Sequence, residues 1–276
     1  MFDRVAALGI CLAAVTPAFA APGSHAEKPA ARPSLSLENA KQELESGDEA
    51  RTLAALDQIE LSEERKAAAL VDALLNRGAN IKILLRALGV DGALGQESSS
   101  AAIAPYTRHR MPEVRRAAAQ SLARTKGALA VQALRQALRS SDAGTRGAAA
   151  DGLGALGAKD AVPELFAVLP KETPEAAGAI GTLCGGDDCK KFVALLGKLP
   201  FDVMQSGFEP LLVRSGPEVS DALKIQLIEA LRKLATAKAN ELLSNTLAAY
   251  PANGSPQVKQ AIDRALHGHS VSGDDQ

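Results

Sequence analysis

The chain has no tryptophan, and aromatic residues fill only 3% of its 276 positions. Single-stranded nucleic acid is held by stacking bases on aromatic rings, so a chain this poor in rings argues against that partner. Histidine is scarce too: His25, His109, His267 and His269 are the full set. None stands at a recognisable spacing from a Cys, Ser or carboxylate, and neither H-E-x-x-H nor G-x-S-x-G occurs. No catalytic, cofactor-binding or metal-binding residue is identified, so a non-enzymatic protein without a cofactor is expected. Net charge is −1, which speaks neither for nor against a polyanionic partner. The apolar run Val5–Val15 is too short to span a bilayer, and no stable membrane span is expected.

Cysteine is nearly absent. Cys184 and Cys189 are the pair that remains beyond Cys11, and they flank Gly185-Gly186-Asp187-Asp188. The spacing is not C-x-x-C, no second pair follows for zinc, and two carboxylates alone make a weak calcium site. In an oxidising compartment an isolated pair this close is most simply a disulfide, and the glycines let its turn close.

What the chain does have is a unit written twice. Arg115, Ala117-Ala118-Ala119, Leu122, Ala130-Val131, Leu134 and Leu138 recur 31 positions later as Arg146, Ala148-Ala149-Ala150, Leu153, Ala161-Val162, Leu165 and Leu169. Val114, Ala118 and Leu122 lie at helical spacing, Gly127 interrupts, and Val131, Leu134 and Leu138 resume it. The unit is therefore two amphipathic helices joined by a turn. Such a pair cannot enclose its own core, so units must stack, and a period near 31 predicts a solenoid. Alanine on the first helix lets neighbours approach closely, while leucine on the second supplies buried area. Each fully buried Leu or Val stabilises by roughly 1.5–3 kcal/mol.

Pro112-Glu-Val-Arg-Arg-Ala-Ala-Ala119, a Leu, a Gly-containing turn and an Ala/Val/Leu-rich second helix resemble the HEAT-repeat family, particularly its short bacterial form in bilin lyases. The clearest copies are 112–138 and 142–169. The resemblance implies an all-α fold, an α-α superhelix of antiparallel helix pairs. It implies no activity, since the same repeat serves scaffolds, adaptors and a few enzymes.

Around these copies, 1–20 reads as a signal peptide cleaved after Ala20, with Arg4 before the apolar run and Ala18-Phe19-Ala20 at its end. A periplasmic or secreted protein is expected. Lipidation at Cys11 is disfavoured by Ile10 where a small residue is needed. Residues 21–36 read as a Pro/Ala-rich tether, 37–269 as the solenoid and 270–276 as a polar tail. In order, short helices are expected at 37–44 and 49–56. Next comes a helix from Ser62 whose Arg65–Ala69 echoes Arg115–Ala119, with Ile81–Leu88 as its partner and Gly78 as stop signal. Gly89–Ser100 reads as a loop or irregular unit, and Ala101–Arg110 as a second-type helix. Aligning Leu153-Gly154 with Ile180-Gly181 predicts a third unit shortened by four residues. Helices follow over 202–213 (irregular because of Gly207 and Pro210), 217–234 and 238–250, with a capping helix over 256–267.

Gly152-Leu-Gly154-Ala-Leu-Gly157 spells G-x-G-x-x-G, but the motif needs a strand before it and a helix opening after it. Here it ends a helix, so nucleotide binding is dismissed. Charge is more informative. Residues 38–64 carry a net −7 and residues 108–139 a net +7. Solvated helix faces are the ordinary explanation. The sharper one is a basic strip on the inner curve, formed by Tyr106, Arg108, Gln132, Arg135, Gln136 and Arg139, that binds an acidic protein partner. The expected function is an exported, monomeric, non-enzymatic scaffold that binds no nucleic acid. The alternatives are an enzyme or enzyme subunit of the HEAT-repeat lyase or glycosylase type, or a structural spacer or assembly factor of the cell envelope.

Overall fold

The computed structural model describes residues 36–268. The stretches read above as signal peptide and tail, and all but the last residue of the one read as a tether, lie outside the described residues. From Ser36 the chain forms α1 (Leu37–Glu45), α2 (Glu49–Ser62), α3 (Ala68–Arg77), α4 (Ile81–Leu94) and the short α5 (Ser100–Ile103). The repeated region builds α6 (Pro112–Thr125), α7 (Gly127–Ala137), α8 (Ala143–Ala155), α9 (Val162–Val168) and α10 (Pro174–Leu183). The rest is α11 (Gly186–Val193), α12 (Phe201–Val213), α13 (Asp221–Leu234), α14 (Ala237–Ala248) and α15 (Pro256–His267). Among the described residues there is no strand, only an isolated bridge between Leu196 and Leu199. The fold is an all-α superhelix.

Helix starts follow local chemistry. Ser36, Asp48, Asn80, Asp142, Ser220, Thr236 and Ser255 each accept the backbone N–H three residues on, satisfying a donor the helix cannot. Pro112, Pro174 and Pro256 occupy first-turn positions where no N–H is needed.

The helices stack in two layers. In one, α2, α4, α6, α8, α10 and α12 each pack on the next; in the other, α1, α3, α5 and α7 do the same. The first layer is built for close approach. Val114, Ala118, Ala119, Ala149, Ala150, Ala176 and Ala177 are all fully buried in it. Leucines at 122, 134, 138, 153, 165 and 169 fill the space between layers. At the end, α15 packs on α13 and α14, covering the last pair.

Three expectations change. Gly89–Ser100 is not a loop throughout, because α4 runs on to Leu94 before Gly95 ends it in the left-handed region. Gly92 is there for packing: a Cβ on it would lie 2.8 Å from the Cα of Ser121 in α6. The layers are also assigned differently. The echo at Arg65–Ala69 puts that helix with α6, but Arg65–Ala67 forms a 3₁₀ turn and α3 lies in the other layer. It is α4 that stacks on α6.

The shortened third unit is present. α6, α8 and α10 begin at Pro112, Ala143 and Pro174, 31 residues apart each time, whereas α12 begins 27 residues after α10, at Phe201. The unit that opens with α10 is thus four residues shorter than the two before it, and the third change lies in α12. Pro210 and Gly207, expected to make 202–213 irregular, sit inside a continuous α12.

Candidate functional site

The strip is positioned by one sharp turn. Lys126 and Gly127 both have positive φ, at 63° and 82°, which reverses the chain directly from α6 into α7. Helix α7 then buries Ala130, Ala133, Leu134 and Ala137, which leaves Gln132 and Gln136 exposed on its outer side and Arg139 exposed just past its end. Val131, expected to be buried with the leucines, is only partly so and lines the groove.

The six residues do not behave alike. Arg108 donates to the Gln136 side chain, so these two are brought together. Arg135 is not a free cation: its Nε donates to Glu164 Oε1 at 2.9 Å and its Nη2 bonds the same oxygen, tying α7 to α9. Burial acts to raise the Glu164 carboxyl, but the bonds from Arg135 and the charges of Arg135 and Arg139 outweigh it and hold it below the usual range. Tyr106 has its hydroxyl on the Leu75 carbonyl at 2.5 Å, which fastens the segment before α6 to α3. Burial raises its phenol.

Two cavities adjoin this face. One of about 320 Å³ is bounded by Val131, Gln132, Arg135, Gln136, Arg139 and Glu164. The other, about 370 Å³, lies between the connectors that precede α6 and α8 and brings Arg110 and Arg115 beside Arg108 and Arg139. The sequence reading left Arg110, Arg115 and Glu164 out of the site. A usable signal existed for Glu164. Side-chain bonds between stacked units join residues about one period apart, as in Asn80 and Lys82 to Glu49, Ser121 to Leu88, and Arg135 to Glu164. A search for opposite charges near that separation finds the Arg135–Glu164 pair.

Elsewhere, the sulfurs of Cys184 and Cys189 lie 2.12 Å apart, and both residues are fully buried. The Arg214 guanidinium covers them, bonding the carbonyls of Thr182 and Cys184 and lying 3.3 Å from the Cys189 sulfur. The glycines of the G-x-G-x-x-G string serve packing and turning. A Cβ on Gly152 would meet Leu134 and Ala123, one on Gly154 would meet Ala179, and Gly157 turns with φ of 68°. No described helix is long and apolar enough to cross a membrane.

Comparison with known proteins bears on the fold. A family model described as HEAT repeats matches residues 67–150 and, overlapping, 99–184. No curated protein matches the sequence. Among solved structures, the chain is similar to one in the complex of CpcE and CpcF of phycocyanin lyase from Nostoc sp. PCC7120. Identity is 20% and the TM-score 0.48, over 88% of this chain and 98% of that one. An engineered protein is similar at 21% identity and TM-score 0.47, over 83% of this chain and 71% of that one.

The expectation of a non-enzymatic chain is withdrawn. It rested on missing motifs, and a helical repeat need not advertise its chemistry in a short motif. The repeat itself is settled by the family match: over residues 67–184 the chain is built of HEAT repeats.

Proposed function

We propose that the chain binds an acidic protein partner along α7 and the connector before α6, as an exported monomer. The observation that carries this is the row of Gln132 and Gln136, exposed on α7, and Arg139, exposed just past its end, extended by Arg108. Stacked helix pairs offer extended surfaces of this kind, and arginine with amide side chains suits recognition of carboxylates and peptide groups. Export is supported by the apolar run Val5–Val15 ending in Ala18-Phe19-Ala20, and by two buried cysteines at bonding distance.

A photo-activated cross-linking residue placed at Gln132 or at Gln136, in the native host, tests the face. Both positions are expected to capture the same protein, and Gln120, exposed on α6, is expected not to. Equal capture from Gln120, or none from α7, would remove α7 as the binding face.

A further inference from the structure

A cluster of four arginines lies at the end of the α7 row and shares Arg108 and Arg139 with it. In the 370 Å³ cavity, Arg108, Arg110, Arg115 and Arg139 converge, and no carboxylate is among its lining residues. Arg110 and Arg139 form no salt bridge among the described residues. Arg115 is held rigidly, its Nη1 donating to the carbonyls of His109 at 2.9 Å and Arg110 at 3.0 Å, while its Nε is buried without a partner. The neighbouring acid, Asp142, is already engaged. It accepts from the Thr145 N–H and hydroxyl at 2.7 Å each, and its neighbouring cations are Arg116, at 3.9 Å, and Arg115.

Four guanidinium groups around so small a space repel one another, and a buried N–H without an acceptor is a cost the fold does not offset internally. An oxyanion relieves the repulsion, since guanidinium forks match carboxylate geometry. The cavity is sized for one or two side chains, and it opens next to the exposed α7 residues. We propose that this cavity is an oxyanion site that takes side-chain carboxylates from an acidic segment of the partner. This rests on the reading of α7 as the binding face, and it adds the chemistry of the anchor: Arg110 and Arg139 meet the carboxylates, and Arg115 fixes the wall.

The test is calorimetric titration of the full chain with a hexaglutamate peptide and, separately, with inorganic phosphate. In the Arg110→Gln/Arg139→Gln double variant the peptide affinity is expected to fall by about tenfold or more, as for loss of charge-assisted bonds. Arg124→Gln, which removes an exposed charge from the far end of α6, is expected to stay within about twofold. Equal losses in the two variants would reduce the effect to general attraction and overturn the proposal. So would absence of peptide binding, or phosphate binding tightly where the peptide does not, which would make the site one for a free ion. Cross-links from Gln132 and Gln136 with peptide affinity unchanged in the double variant would keep the α7 face and sink the anchor alone. Thermal melts of both variants establish that they fold.

Discussion

Gly181 of α10 and Gly207 of α12 touch backbone to backbone: a Cβ on Gly181 would sit 2.0 Å from the Gly207 carbonyl oxygen. Gly207 is as tightly held, its own Cβ position being 2.2 Å from the Ala177 carbonyl. Neither contact yields by moving a side chain, because backbone occupies both sides. Gly181→Ala is therefore expected to destabilise by about 2–3 kcal/mol through overpacking, despite the helix propensity that alanine gains. Gly89 in α4 has nothing within 4 Å of its Cβ position, so Gly89→Ala is expected to stabilise by up to about 1 kcal/mol. Thermal melts of the two variants should move in opposite directions; movement in the same direction would refute the contact as the cause.

These glycines also show where sequence reading stops. The residues 112–169 disclosed helix pairs, period and stacking, because identical apolar positions 31 apart have one economical explanation. Gly92 was misread because glycine marks both chain breaks and close helix contacts, and only Ser121 across the gap distinguishes them. Along α7 the charges were legible but their partners were not, since Arg135 meets Glu164 only once two units are stacked.

Stability should depend on pH through Asp91. It is fully buried in α4 with both carboxylate oxygens unpartnered, and burial first, then the charge of Asp72, raises it to about 8; the nearby Ser99 hydroxyl works the other way. An unfolded aspartate titrates near 3.9. Between about pH 4 and 8 the folded state thus binds more protons, and stability falls as pH rises through that window. Below it both states are protonated and the penalty is absent; above it the penalty is complete. Asp91→Asn, which cannot ionise, is expected to raise the Tm at pH 8 and to flatten its dependence between pH 5 and 8. An unchanged slope in that variant would assign the titration to another group.

Arg146 repeats Arg115 in its bonds as well as its sequence. Its Nη1 donates to the carbonyls of Ser140 and Ser141, six and five residues back, as Arg115 does to His109 and Arg110. Nη2 also reaches the Lys171 carbonyl in the connector before α10. Arg146 is nearly buried, so its loss leaves these carbonyls without their donor. Arg146→Met is expected to cost about 2–3 kcal/mol in denaturant unfolding, the range for bonds to a charged group. Arg146→Lys should recover little of it, since a single ammonium does not reproduce the planar fork. Full recovery with Lys would show that charge, and not the fork, holds the connector.

The Cys184–Cys189 pair should be protected from reductant by the fold and not by its own chemistry. Both residues are fully buried, and Arg214 lies over them with its guanidinium on the Thr182 and Cys184 carbonyls. Thiol reductant added to the folded protein is therefore expected to leave the pair unalkylated by iodoacetamide, whereas the same treatment in denaturant labels both residues, as mass spectrometry would read. Replacing both by alanine should cost about 2 kcal/mol, because so short a loop removes little entropy from the unfolded chain. For a chain this long, that corresponds to a fall in Tm of roughly 4–8 °C. Arg214→Met separates burial from bonding: if the guanidinium is the cover, the folded variant becomes reducible, while continued protection would place the barrier in the packing of α10 against α11 and α12.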